Sequence, residues 1–223
     1  MIIAYGTKSI DLRPTKIVAV ARNYRAHAQE MGSPVPDEPR FFLKPPSSLI
    51  GNNGVVILPG MSERVDHEVE LAVIMKNRCK NISVEEACQH IMGYTVMVDV
   101  TARDLQAEAK KKGLPWAVSK GFDTFAPTGP VISPVDAINP HNAEIWLKIN
   151  GGYRQKGNTK NMIRTVGELI SYISTVMTLE PMDIIATGTP EGVGPMKDGD
   201  TIEAGIEGIG VLQVTAQRYD TDL

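Results

Sequence analysis

The sequence predicts a β-rich α+β fold, and three observations lead there. Short apolar, β-branched runs recur along the whole chain, divided by glycine, proline and asparagine turns. A single stretch, residues 165–177, has the spacing of a long amphipathic helix. The third observation is chemical: within the strand-like residues 65–75, Glu68 and Glu70 interrupt an otherwise apolar run.

Strand side chains alternate between faces, so Glu68 and Glu70 share one face while His67, Val69 and Leu71 take the other. Two glutamates side by side repel, and they lose hydration on burial. A divalent cation makes such a pair tolerable. On these residues alone, the wet face of an amphipathic strand explains the pair equally well. Asp99, at the end of a second apolar run, and Lys120, after a Pro-Trp loop, favour the metal reading. Three carboxylates for a hard cation and one lysine make a site that can hold and polarise an oxygen-rich molecule.

Residues 1–15 form a short N-terminal extension, and residues 16–223 read as one domain. Residues 16–21 are a short buried strand that leads into residues 22–31, a segment of helical composition ended by Gly32 ahead of Pro34 and Pro36. His27 and Glu30, three apart, are neighbours on its face. They are either a base held in one tautomer by a carboxylate or a surface pair, and spacing by itself favours the surface pair.

Residues 40–44 are a brief strand closed by Pro45 and Pro46, and a turn at 51–54 precedes the run 55–58. Ser83 and Glu86 have capping-box spacing, predicting a short helix towards His90. The strand at 93–98 delivers Asp99, and residues 101–104 open a helix that Gly113 and Pro115 end. On it, Arg103 and Gln106 are three apart and offer a carboxylate-binding face, though a solvated face is the simpler reading. Lys110, Lys111 and Lys112 complement its C-terminal dipole.

Residues 116–134 read as loop. Alternation at 144–149, with Asn150-Gly151-Gly152 as a tight turn, predicts a hairpin. Thr165 and Glu168 cap the long helix, and the strand at 182–187 delivers a glycine-rich loop at 188–194. That loop lacks the ending of a phosphate loop, yet it could bring backbone N–H groups and the Thr189 hydroxyl to an anion. A strand near 200–204, a turn and the alternating run 209–217 close the chain.

Composition narrows the function classes. With 26 acidic and 23 basic residues interspersed and a net charge of -3, no basic stripe serves nucleic acid. No run approaches the length of a membrane span. Two cysteines without metal or disulfide spacing fit a reducing compartment, so a soluble cytoplasmic protein is the expectation. His67 reads as a packed histidine, His90 and His141 show no partner, and the ten methionines read as core filler.

Seven motifs then occur in order: Arg-Asn-Tyr-x-x-His-x-x-Glu from Arg22, Phe-Leu-Lys-Pro from Phe42, His-Glu-x-Glu-Leu from His67, Asp-x-Thr-Ala-Arg-Asp-x-Gln from Asp99, Lys-Gly-Leu-Pro-Trp from Lys112, Lys-x-Phe-Asp from Lys120 and Gly-Thr-Pro-x-Gly-Val-Gly from Gly188. Together they resemble the fumarylacetoacetate hydrolase family, in its compact acylpyruvase and oxaloacetate decarboxylase branch. The likeness runs from about residue 16 to the C-terminus and does not include the extra N-terminal domain of the large fumarylacetoacetases.

The resemblance implies a mixed β-roll of the fumarylacetoacetase C-terminal type with short peripheral helices, and a homodimer. It implies that Glu68, Glu70 and Asp99 bind Mg²⁺ or Mn²⁺, that Lys120 is the active-site lysine, and that His27 and Glu30 activate water. Arg22, Lys44, Arg103, Gln106 and Thr189 fall on substrate-contacting or site-lining positions. The implied substrate is a small 2-oxo acid, with no nucleic acid or membrane partner. The implied reaction is hydrolysis of a C–C bond in acylpyruvates to pyruvate and a carboxylic acid, with oxaloacetate decarboxylation beside it. Isomerisation or decarboxylation of an unsaturated 2-oxo dioate is the alternative, and non-catalytic binding of 2-oxo acids a third. Gly121 stands where that family commonly has serine.

Overall fold

The computed structural model describes residues 1–32 and 34–219. Its largest element is an eight-stranded mixed sheet, in the order Lys8–Asp11, Ile2–Tyr5, Val131–Pro134, Ile91–Val98, Val69–Met75, Ile184–Ala186, Ile17–Ala21, Arg40–Lys44. A five-stranded sheet, in the order Gly152–Asn158, Glu144–Ile149, Thr201–Ile206, Gly210–Arg218, Val55–Leu58, forms the second layer. The predicted β-rich α+β fold is the observed one.

Both faces of the central strands are buried, because apolar side chains point both ways. Val69, Leu71, Val73 and Met75 enter the larger core, which also takes Ile145, Leu147, Leu212 and Val214 of the second sheet. Ala72 and Ile74 enter a smaller core with Ile17, Ile184, Ile3 and Ile132. Continuous apolar runs are the mark of strands covered on two sides.

The helices are peripheral. We label them α1 (Arg25–Glu30), α2 (Arg103–Lys112), α3 (Ala117–Lys120) and α4 (Val166–Val176). The capping box of α4 is formed, with Thr165 accepting from the Glu168 backbone N–H and Glu168 accepting from the Thr165 N–H. Gly113 ends α2 in the left-handed conformation at φ 66°. Asn150 and Gly151 both take positive φ in the predicted hairpin turn.

Several local expectations change. Residues 1–15 are described above as an extension without assigned structure, yet Ile2–Tyr5 pairs in parallel with Val131–Pro134 and so joins the main sheet. The helix expected at 22–31 begins only at Arg25, since Arg22 has φ 61° and Tyr24 is extended. Within the loop expected at 116–134, α3 makes one turn, with Trp116 O accepting from the Ser119 and Lys120 N–H groups at 3.0 Å each. One turn is too short to leave a period in the sequence. The segment before His90 forms its Ser83–Glu86 box but continues as a 3₁₀ turn, Ala87–His90. No helix among the described residues is long and apolar enough to cross a membrane.

Candidate active site

The site forms where strands of the main sheet end together. Val69 pairs with Val98, so Asp99 follows directly beside Glu68, and the Asp99 N–H donates to the Glu68 carbonyl at 2.8 Å. Ala186 pairs with Ala72, which places Gly188 and Thr189 next to Glu70. Glu68 sits in the break between the strands Val65–His67 and Val69–Met75. The glutamates do not line a wet face: Glu68 is 6% exposed and Glu70 is 1% exposed.

Ligand atoms of Glu68, Glu70 and Asp99 lie within 4.8 Å of one another. Lys120 Nζ donates to Glu68 Oε2 at 3.0 Å and to Asp99 Oδ2 at 2.5 Å. Lys44 Nζ donates to Asp99 Oδ1 at 2.6 Å and to the Val100 carbonyl at 3.0 Å. Arg103 donates to Glu68 through Nη2, to Asp66 Oδ2 at 2.8 Å through Nε and to Gln106 Oε1 at 2.8 Å through Nη1. Arg64 closes the array on Asp66. Lys44 and Arg103 therefore hold the carboxylates in place, and Gln106 holds Arg103.

This arrangement separates the two glutamates electrostatically. Burial works against the Glu68 carboxylate, but Lys120 and Arg103 outweigh it and hold its pKa well below the usual range. Burial, with Asp99 and Glu68 as like charges, pushes Glu70 well above that range. One backbone N–H, that of Gly188 at 2.7 Å, is what Glu70 receives in return. Three buried oxygen-donor carboxylates, of which Glu70 has no cationic side chain bonded to it among the described residues, fit a hard divalent ion such as Mg²⁺ or Mn²⁺.

Arg22, His27, Glu68, Glu70, Asp99, Arg103, Gln106, Lys120 and Thr189 line one cavity with about 410 Å³ of open space. The sequence-predicted residues thus converge, with two exceptions. Lys44 lies buried beneath the cavity. Glu30 sits behind His27, its Oε2 3.3 Å from His27 Nδ1, and accepts the Gly192 N–H. The spacing-based preference for a surface pair is overturned for His27, which is 7% exposed.

The glycine-rich loop works differently from expectation. Its Gly188 and Gly192 N–H groups donate to Glu70 and Glu30 and so position protein carboxylates. A side chain at Gly192 would meet the Arg154 carbonyl at 2.3 Å, and φ there is 93°.

Sequence reasoning missed Gln155, Asp66 and Lys110. Gln155 is wholly buried; its Nε2 donates to Thr189 Oγ1 at 2.7 Å and its Oε1 accepts from the Val69 N–H. Oε1 also lies 2.9 Å from His67 Nδ1, so that nitrogen carries the proton. His67 is a packed histidine, as its strand position implies, and burial lowers its pKa. His141 does have a partner, since its Nε2 accepts from the Val166 N–H at the start of α4. Asp66 was legible only as part of Arg64-x-Asp66, and Lys110 was hidden among three successive lysines.

Fold and site define a strand-rich α+β protein with a buried carboxylate triad whose donors suit a hard cation. The chain belongs to the fumarylacetoacetate hydrolase family: the model described as fumarylacetoacetate (FAA) hydrolase C-terminal matches residues 16–217. A mitochondrial oxaloacetate tautomerase of Arabidopsis thaliana is 50% identical over 204 residues, which cover 92% of this chain and 92% of that protein. The crystal structure of fumarylpyruvate hydrolase from Pseudomonas aeruginosa, in complex with Mn²⁺ and pyruvate, is 32% identical with a TM-score of 0.91. It covers 98% of this chain and 96% of its own. A 5-carboxymethyl-2-hydroxymuconate delta-isomerase from Mycobacterium smegmatis is 40% identical with a TM-score of 0.85, covering 96% and 86%.

Proposed function

We propose that this protein is a divalent-metal-dependent enzyme that moves a proton at the carbon beside the keto group of a 2-oxo acid. The reaction we assign first is tautomerisation of oxaloacetate. The observation that carries it is the shared cavity: the carboxylate triad, Lys120 and His27 all face one small space. The relative named oxaloacetate tautomerase supports the substrate. Bound by Glu68, Glu70 and Asp99, Mg²⁺ or Mn²⁺ would supply Lewis-acid polarisation of the substrate's keto and carboxylate oxygens.

The protein's own groups do the rest. Lys120 gives two of its three N–H donors to Glu68 and Asp99, leaving one for an oxygen on which negative charge grows. Its charge is secure, because Asp99 and Glu68 outweigh the burial that would lower its pKa, and the net shift is upward. Glu30 beside Nδ1 fixes the His27 tautomer and leaves Nε2 to take the proton from C3 and return it to oxygen. Thr189, whose oxygen accepts from Gln155, keeps its own hydroxyl proton to donate to the substrate carboxylate.

A second reading, acylpyruvate hydrolysis, is favoured by the same dyad and by the fumarylpyruvate hydrolase neighbour. There His27 Nε2 takes a proton from water, the oxygen attacks the distal carbonyl, and the C–C bond breaks to give a carboxylic acid and pyruvate. We propose a reducing, cytoplasmic setting, on two free cysteines, Cys79 and Cys88. We propose also a homodimer, on exposed Leu43 of the edge strand and exposed Val118 of α3 beside it; sedimentation tests that.

The deciding experiment follows oxaloacetate enol and keto forms by NMR, and acetylpyruvate products in parallel, each with Mg²⁺, with Mn²⁺ and with chelator. Metal-dependent acceleration of enol–keto exchange is expected. Acetate and pyruvate without such acceleration would make the hydrolase reading the correct one, and turnover that survives exhaustive chelation would overturn the metal assignment.

A further inference from the structure

Charge balance differs sharply around the cavity. Glu68, Asp99 and Asp66 are each ion-paired, with Lys44, Lys120, Arg103 and Arg64 as partners. Arg22 and Lys110 line the same cavity, and neither side chain makes a hydrogen bond or ion pair with any described residue. Lys110 Nζ lies 5.2 Å from the centroid of the Trp116 ring. Partial desolvation and the nearby Arg103 and Arg22 charges lower the Lys110 pKa. Two cations held close, with no carboxylate bonded to either among the described residues and only the more distant Glu68 charge acting on Lys110, are disfavoured until an anion joins them. Arg22 is held there in a backbone conformation that side chains rarely adopt, at φ 61°, where the strand Ile17–Ala21 ends.

We propose that Arg22 and Lys110 form a clamp for a second carboxylate, at the far end of a 2-oxo acid whose first carboxylate and keto group lie at the triad. The proposal rests on the 2-oxo acid reading given above and deepens it, because it names the two side chains that select a dicarboxylate over a monocarboxylate. Arg22 supplies a planar fork of donors and Lys110 a point charge. Phe42 and Trp116, which line the same cavity with ring centroids 5.5 Å apart, give the intervening carbons an apolar wall. Arg22 also lines an adjoining outer cavity with Arg40, Leu114 and Trp116, so a longer chain between the two acid groups has room to extend.

The test uses two five-carbon probes that differ only in the terminal carboxylate, 2-oxoglutarate and 2-oxopentanoate. Their binding to the Mg²⁺-loaded protein is measured by calorimetry. Wild type is expected to prefer 2-oxoglutarate by roughly tenfold or more, as charge-assisted pairs do. Arg22→Gln and Lys110→Met should each erase most of that preference by weakening 2-oxoglutarate and leaving 2-oxopentanoate affinity within about twofold. Thermal melts establish that each variant is folded, and either variant alone suffices. Equal affinity of wild type for both probes, or a preference that survives in a folded variant, overturns the clamp while leaving the 2-oxo acid reading intact. Binding of neither probe overturns that reading as well.

Discussion

On the floor of the cavity, Lys44, Lys120 and Arg103 each meet a carboxylate, whereas at its mouth Arg22 and Lys110 meet none among the described residues. The floor is nearly dry: Lys44, Glu70, Asp99 and Lys120 are each 1% exposed. The mouth is open, with Lys110 and Glu30 exposed. Burial explains the contrast, since an unpaired charge costs far less at a wet mouth than inside. The floor is preorganised around positions set by the sheet, and the mouth keeps its charge available for what arrives.

The largest effect should come from removing the divalent cation proposed for the floor. Exhaustive chelation is expected to abolish enol–keto exchange, and Mn²⁺ added back should restore it; spectroscopic rates decide this. Next is His27→Ala, expected to cost ~10² to 10⁴ in tautomerisation and in acylpyruvate hydrolysis. Oxaloacetate decarboxylation needs no attacking water and should fall far less. Equal losses in hydrolysis and decarboxylation would end the division of labour between dyad and triad.

Lys120→Met breaks a buried ion pair from one side. Denaturant titration of the metal-free variant should show a loss of about 3–5 kcal/mol, because Glu68 and Asp99 lose a buried partner. Mn²⁺ should recover part of it, and an unaffected midpoint would show that Lys44 and Arg103 suffice.

The acids of the floor differ in a way that pH can expose. The raised pKa of Glu70 means that the metal-free fold favours its neutral form. That contribution to stability is fully present below the unfolded pKa and is lost as pH rises through the folded one. Metal-free wild type should therefore lose stability across that rise, while Glu70→Gln should lose less and gain little from Mn²⁺. Parallel pH dependences in the two proteins would disprove it. The smallest effect belongs to Gln155→Leu, which removes the donor that orients Thr189. We expect KM to rise by less than about tenfold with kcat nearly kept, in line with the one hydrogen bond lost at Thr189, while the Val69 and His67 N–H groups that lose Gln155 Oε1 lower stability instead. A fall in kcat alone would show that Thr189 acts in the chemistry.

Much of this was legible in the order of residues. Alternation gave the hairpin at 144–155, the capping box gave α4, and Glu68 and Glu70 taken with Asp99 and Lys120 pointed to the triad, although the glutamate pair alone left a wet strand face equally open. These signals are local, because period and spacing act through neighbours in the chain. Lys120 stood out only as a lone lysine after a Pro-Trp loop, since its single-turn helix leaves no period, and the seven ordered motifs gave it and the His27–Glu30 pair their expected roles.

Tertiary structure alone decided the partners. Gln155 meets His67 from 88 residues away, and Gly188 meets Glu70 from 118. No local pattern marks either, since Gln155 sits in a strand that is otherwise polar and half exposed. Burial too was decided there: the same glutamate strand would be wet if the sheet were covered on one side, and the second sheet and the loop at 188–194 close it. Sequence therefore determined which chemical groups the chain carries and how neighbours alternate. The fold determined which charges lose water together, and that loss gives the carboxylates their different proton affinities.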